Sequence, residues 1–112
     1  MLNSNSEIRA DLDVRLVQDF MDVIILKLLK RNDCTSGYAL IRYFHQRFHM
    51  FVSSGTVYST LYSLERQGFI VGDFDGRRRV YRLTKDGEQF FDAICIAGQR
   101  NHAVFLSIFS NT

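Results

Sequence analysis

Three consecutive arginines, Arg77, Arg78 and Arg79, directly follow the pair Asp75-Gly76. Neighbouring guanidiniums repel one another unless an anion sits among them, and each offers a planar fork of donors that fits a phosphate. The chemistry open to this cluster is therefore polyanion binding, in which each neutralised phosphate releases a counterion. Its plainer alternative is a solvated basic loop. A second cluster lies upstream, between Ser53 and Gly68. At helical spacing, one face there carries Ser59, Tyr62, Ser63 and Arg66, flanked by Thr56 and Tyr58. Hydroxyls, phenols and a guanidinium with no acid among them can bond base edges and phosphate oxygens without repelling the DNA backbone. An ordinary exposed helix face mixes in glutamate, lysine and glutamine, and this one does not. A third candidate, His45 with His49, has the i, i+4 spacing of a helical metal pair. His49 falls at or beyond the expected helix end and no third ligand accompanies it, so no metal is expected. There is no phosphate loop, nucleophile elbow or paired carboxylate, so neither an enzyme nor a cofactor is expected.

The elements that position these clusters follow from periodicity and caps, because the chain has no proline and no repeat. Residues 1–12 are polar and read as a flexible segment. A first helix is expected from Asp13 to Arg31, with Val17, Phe20, Met21, Ile24 and Leu28 on one face and Ile25, Leu26 and Leu29 on another. A second starts near Thr35 or Ser36 and places Tyr38, Ile41, Phe44 and Phe48 in a core stripe. Met50 to Val52 reads as a short extended link. The third helix, about residues 53–67, is capped by Ser53, with Val52 and Val57 forming a hydrophobic staple and Val57, Leu61 and Leu64 inside. Two strand-like runs, Phe69 to Phe74 and Arg77 to Leu83, flank Asp75-Gly76 as a tight turn. Thr84 caps a last helix running to about Phe109. Its Phe91, Ile94, Phe105 and Ile108 keep a nearly heptad spacing, and Gly98 is easier to understand if another helix approaches there.

Charge is distributed in keeping with this layout. Between Thr35 and Lys85 there are eight bases and three acids, whereas the flanks together hold six bases and nine acids, within an overall net charge of +2. A basic middle between acidic ends suggests one face built for a polyanion. The length of 112 residues and 46% hydrophobic content fit one domain with a modest core. Cys34 and Cys95 have no partner spacing and read as reduced thiols. The apolar segment Val23 to Leu29 is far short of the roughly 20 residues that span a bilayer, and no signal peptide is visible. A cytoplasmic, nucleoid-associated protein without membrane contact is expected.

The fold class expected is mainly α with a small β-hairpin: a winged helix-turn-helix over residues 13–84, followed by a dimerisation helix over 85–112. This order of motifs resembles the PadR family of winged-helix transcriptional regulators, in its short form with a single C-terminal helix. The resemblance rests on Ser36-Gly37-Tyr38, on Ser53-Ser54-Gly55-Thr56-Val57-Tyr58, on Leu61, Leu64-Glu65 and Gly68-Phe69-Ile70, and on Arg79-Val80-Tyr81-Arg82-Leu83-Thr84. It spans about Asp22 to Gly87. The chain departs from the family where Ser54 and Ser59 stand at positions that often hold proline, and its wing is short. The resemblance implies a homodimeric regulator, a repressor more often than an activator, that binds double-stranded DNA in a sequence-specific way. Ser53, Ser54, Thr56, Tyr58, Ser59, Tyr62 and Arg66 would read or brace the major groove. Arg77, Arg78 and Arg79, in a wing of residues 75–79, would clamp phosphates or enter the minor groove. The dimer interface would draw on Phe20, Ile24, Phe91, Ile94, Gly98, Phe105 and Ile108. A protein-interaction module and a sequence-neutral architectural protein are the competing readings. Phe90, Phe91, Phe105 and Phe109 can line an effector cavity or simply fill core, and no feature of the sequence supports an effector.

Overall fold

The computed structural model describes residues 4–33, 35–49 and 52–111. Cys34 and the first two residues of the expected link, Met50 and Phe51, lie outside them. The described residues form six helices and one hairpin, in the order α1 (Asn5–Asp19), α2 (Met21–Lys30), α3 (Gly37–Phe48), α4 (Ser54–Arg66), β1 (Ile70–Asp75), β2 (Arg78–Leu83), α5 (Lys85–Arg100) and α6 (His102–Ile108).

Several helices start where a side-chain oxygen can accept from their free N–H groups. Ser36 Oγ accepts from the Ala39 amide at 3.1 Å, Ser53 Oγ from Thr56 at 3.2 Å, and Thr84 Oγ1 from Gly87 at 3.0 Å. Val52 and Val57, on either side of the Ser53 cap, are both buried, as a hydrophobic staple requires. The core joins Met21, Ile25, Leu26, Leu28 and Leu29 of α2 to Leu40 and Phe44 of α3, Val57, Leu61 and Leu64 of α4, and Ile70 and Tyr81 of the hairpin. Because α2 is buried on more than one side, it is the axis around which the helix-turn-helix and the hairpin pack. A second tie fixes the hairpin to α3. Tyr81 donates its backbone N–H to the Thr35 carbonyl at 2.7 Å, beside a bridge between Ser36 and Val80.

The start of α5 is fixed just as closely. Thr84 donates its hydroxyl to the Gly68 carbonyl at 2.6 Å and its N–H to the Phe69 carbonyl at 3.1 Å. A Cβ at Gly87 would lie 2.0 Å from that same Phe69 oxygen, so the position accepts no side chain. Farther along, the Lys30 ammonium donates to Asp92 Oδ1 at 2.6 Å and lies 5.6 Å from the Phe91 ring centroid, tying α2 to α5. The hydrogen bond to Asp92 raises the lysine pKa above its ordinary value. A pKa raised by folding contributes stability below the unfolded value of about 10.4, and that contribution is lost only as pH rises through the folded value, so the tie is intact at neutral pH.

The structure differs from the sequence-based expectation in five places. The flexible segment of residues 1–12 is helical from Asn5, capped by Ser4, which accepts from the Glu7 amide at 3.2 Å. The helix expected from Asp13 to Arg31 is two helices with a break at Phe20. The break falls where composition changes from polar to apolar: α1 buries only Val17, whereas α2 buries five residues. The last helix, expected to be continuous to Phe109, breaks at Asn101, whose backbone (φ −94, ψ 11) is not helical. Tyr38, placed in the core stripe of the second helix, is 61% exposed, with Arg42 5.8 Å from its ring centroid, while Leu40 takes the core position. The hairpin loop is Gly76-Arg77 and not Asp75-Gly76, because Asp75 pairs with Arg78 across the ladder. Gly76 has φ +65 and opens the two-residue loop, the place where II′ hairpin turns need a glycine.

Candidate nucleic-acid interface

α4 turns its buried stripe of Val57, Leu61 and Leu64 inward and leaves the opposite face exposed. Ser54, Ser59, Tyr62 and Arg66 are all exposed, and Arg66 lies 5.7 Å from the Tyr62 ring centroid. The contact holds the guanidinium along the outer face of the helix. Ser53 and Thr56 are exposed as well, but their hydroxyls bond each other at 2.8 Å in the cap and are partly committed to starting the helix. Tyr58 is 47% exposed. Its ring crosses the start of α3, where a Cβ on Gly37 would lie 2.5 Å from Tyr58 Cε1. Gly37 therefore provides the space that lets the tyrosine brace the two helices of the helix-turn-helix.

An open cleft separates α4 from the hairpin. Gly55, Tyr58, Ser59, Tyr62, Glu65, Arg66, Arg79 and Tyr81 line it. The cleft brings together five of the residues singled out from sequence, Tyr58, Ser59, Tyr62, Arg66 and Arg79. Arg77 and Arg78 lie beyond it, at the exposed hairpin tip, and neither forms an ion pair among the described residues. Arg79 is placed differently. Its Nη2 donates to Glu65 Oε2 at 2.7 Å, and its Cζ lies 5.6 Å from the ring centroids of both Phe74 and Tyr81. The Glu65 carboxylate, chiefly, raises the pKa of the guanidinium, and burial pushes the Tyr81 phenol up from its ordinary value.

Sequence reasoning missed Glu65, the acid among the residues that line this cleft. It also missed the role of Gly37, which a glycine directly after a helix cap can signal. The Arg79–Glu65 pair had no local signal, since fourteen residues separate the partners and only packing of the hairpin against α4 brings them together.

The residues singled out for an interface between chains fall into two groups. Ile24, Phe91 and Ile94 are half-buried within the chain, whereas Phe20, Gly98, Phe105 and Ile108 are exposed. No atom lies within 4 Å of a Cβ built on Gly98, so that surface of α5 is open to close approach. α6 buries none of its residues and exposes Val104, Phe105, Leu106 and Ile108 together. Among the described residues no cluster of metal-ligating side chains occurs, and no helix is long and apolar enough to cross a membrane.

A two-strand hairpin packed on a helix-turn-helix, with an exposed hydroxyl-rich helix beside a basic hairpin tip, defines a winged-helix protein. Residues 25–93 match the model of the PadR-like transcriptional regulator family, and the chain belongs to that family. Among solved structures it is similar to a PadR family transcriptional regulator from Eggerthella lenta, with a TM-score of 0.77, 18% identity and 96% of each chain covered. It is also similar to a PadR family regulator from hypervirulent Clostridium difficile, with a TM-score of 0.70, 23% identity, and 81% of this chain and 99% of the other covered. Bacillus subtilis PadR, solved in complex with operator DNA, matches with a TM-score of 0.57 and 28% identity over 68% of this chain and 47% of that one. No curated protein matches the chain significantly.

Proposed function

We propose that this chain is a homodimeric, sequence-specific DNA-binding regulator that represses transcription by occupying promoter DNA. The observation that carries the reading is the exposed face of Ser54, Ser59, Tyr62 and Arg66 on α4, set across an open cleft from the hairpin whose tip carries Arg77 and Arg78. In this reading α4 lies in the major groove. Ser59 and Tyr62 reach base edges, Ser54 and Arg66 bond phosphates near the two ends of the helix, and Ser53, Thr56 and Tyr58 hold the helix at its entry angle. The hairpin tip brings Arg77 and Arg78 to the adjacent backbone or minor groove. The complex of Bacillus subtilis PadR with operator DNA supports this reading by its likeness to the chain.

The dimer follows from the uncovered apolar side chains. Phe20, Phe105 and Ile108, together with the open surface at Gly98, give a second copy something to bury. Two α4 helices held in one dimer would enter successive major grooves about 34 Å apart. Binding alone suffices to exclude polymerase from an overlapping promoter, so repression needs no further surface. Sedimentation of the chain with a short duplex tests the reading. Two chains per duplex are expected, with a complex that dissociates as salt rises from about 50 to 200 mM. A chain that never co-sediments with duplex would contradict it.

A further inference from the structure

We infer that Arg79 is a positioning residue that sets the angle of the wing against the recognition helix through Glu65, and is not itself a phosphate contact. The inference rests on the DNA-binding reading above and divides the labour among the three arginines of the wing.

Strand alternation is the first ground. With Gly76-Arg77 as the loop, Phe74 pairs with Arg79 and Gly72 with Tyr81, so these four share the hairpin face turned toward α4. Arg78 belongs to the other face, and Arg77 sits in the loop itself. One residue of register thus separates an arginine facing the protein from two facing outward.

The second ground is the set of contacts that already hold the Arg79 head. It donates to Glu65 Oε2 at 2.7 Å, with the side chains of Arg79 and Glu65 39% and 29% exposed. The Phe74 and Tyr81 rings lie against it at 5.6 Å each. Gly72 makes room for it, because a Cβ there would meet Arg79 Nε at 2.6 Å. Carboxylate, two rings and a glycine cradle fix one guanidinium geometry, and the planar fork suits such a site better than a lysine would.

The third ground is electrostatic. Glu65 lies in the cleft that DNA would border, where a bare carboxylate repels phosphates. Turning Arg79 outward to a phosphate would uncover that carboxylate and cancel much of the charge gained. Keeping the pair closed cancels the charge of Glu65 and, within the wing, leaves counterion release to Arg77 and Arg78.

The test is duplex binding measured against salt for the full chain and its variants, with a thermal melt of each variant as a folding control. Removing one phosphate-neutralising side chain makes the slope of log K against log salt shallower by about 0.9. Arg78→Ala, which removes one such side chain from each chain of the dimer, is expected to make the slope shallower by about 1.8. The pair Arg79→Ala with Glu65→Gln, which leaves no bare carboxylate in the cleft, is expected to weaken binding about tenfold with the wild-type slope, because it disturbs geometry and not counterion release. Gly72→Ala should do the same although it removes no charge. The double variant Glu65→Gln with Arg79→Gln, whose amides can still bond across the gap, should recover most of the affinity. A slope that falls in Arg79→Ala with Glu65→Gln as it does in Arg78→Ala, or wild-type affinity in Gly72→Ala, would overturn the inference alone. Failure of the wild-type chain to bind any duplex would overturn the DNA-binding reading and this inference with it.

Discussion

Replacing Phe105 and Ile108 together with aspartate is expected to convert the protein to a monomer and to weaken binding to a two-half-site duplex by about 100-fold or more. Both residues are exposed, at 44% and 67%, on a helix that buries none of its residues. Seven residues are too few for an isolated helix to hold in water, where stable helices need about 12–15. In the proposed dimer, a packing partner for Val104, Phe105, Leu106 and Ile108 would give this segment a reason to be helical. Two buried carboxylates would remove that reason, since desolvating an unpaired charge costs several kcal/mol. The change should leave the winged helix intact, because no residue of α6 belongs to the core. Dimerisation turns binding at the second half-site into an intramolecular event, at an effective concentration on the order of millimolar. Its removal therefore lowers affinity far more than truncating any one side chain that touches DNA. Sedimentation velocity and fluorescence anisotropy with a labelled duplex check the two halves of the prediction. A double variant that remains a dimer would show that the interface lies elsewhere.

The second large effect belongs to the hairpin tip. Arg77→Ala with Arg78→Ala is expected to weaken binding to every duplex, with little change in the preference among them. Both residues are exposed and neither has a carboxylate partner among the described residues, so no ion pair has to break before they meet a phosphate. A dimer would carry four such arginines. The salt slope should become shallower by about 0.9 for each phosphate no longer neutralised, up to about 3.6 in all. Affinity near 0.15 M salt should fall by about tenfold or more. Thermal stability should hardly move, because exposed arginines without partners contribute little to it. Weaker discrimination among duplexes with an unchanged slope would mean that the tip reads bases and not phosphates.

Much of this architecture was legible in the residues because its signals are local. Ser36, Ser53 and Thr84 announce helix starts, and Val52 with Val57 fixes the entry to α4, each within a span of four to six residues. The buried stripe of Val57, Leu61 and Leu64 also follows from spacing alone. Some of what was missed was legible too. Ser4 and Glu7 have the S-x-x-E spacing of a capping box, and α1 starts there. The break at Phe20 was harder to foresee, since neither proline nor glycine marks it and the apolar spacing of Val17, Phe20, Met21 and Ile24 runs on through it. The break at Asn101, by contrast, falls in the polar stretch from Gly98 to His102. The hairpin shows how a small error grows. Asp75-Gly76 has the composition of a two-residue loop, yet glycine serves here at the first loop position and not the second. Moving the loop by one residue re-pairs Arg79 from Gly72 to Phe74 but leaves it on the face it shares with Tyr81, from which packing against α4 brings it to Glu65. Contacts of this kind depend on register and on packing between elements, which no local pattern encodes.

Whether the protein reads sequence as a dimer is decided by selecting bound duplexes from a randomised library at moderate salt and sequencing them. A two-fold symmetric motif is expected, with half-sites about ten base pairs apart, one turn of duplex for each recognition helix. Recovery of duplexes without a shared motif would contradict sequence-specific regulation and point to an architectural role. Recovery of no duplex at all would contradict DNA binding itself.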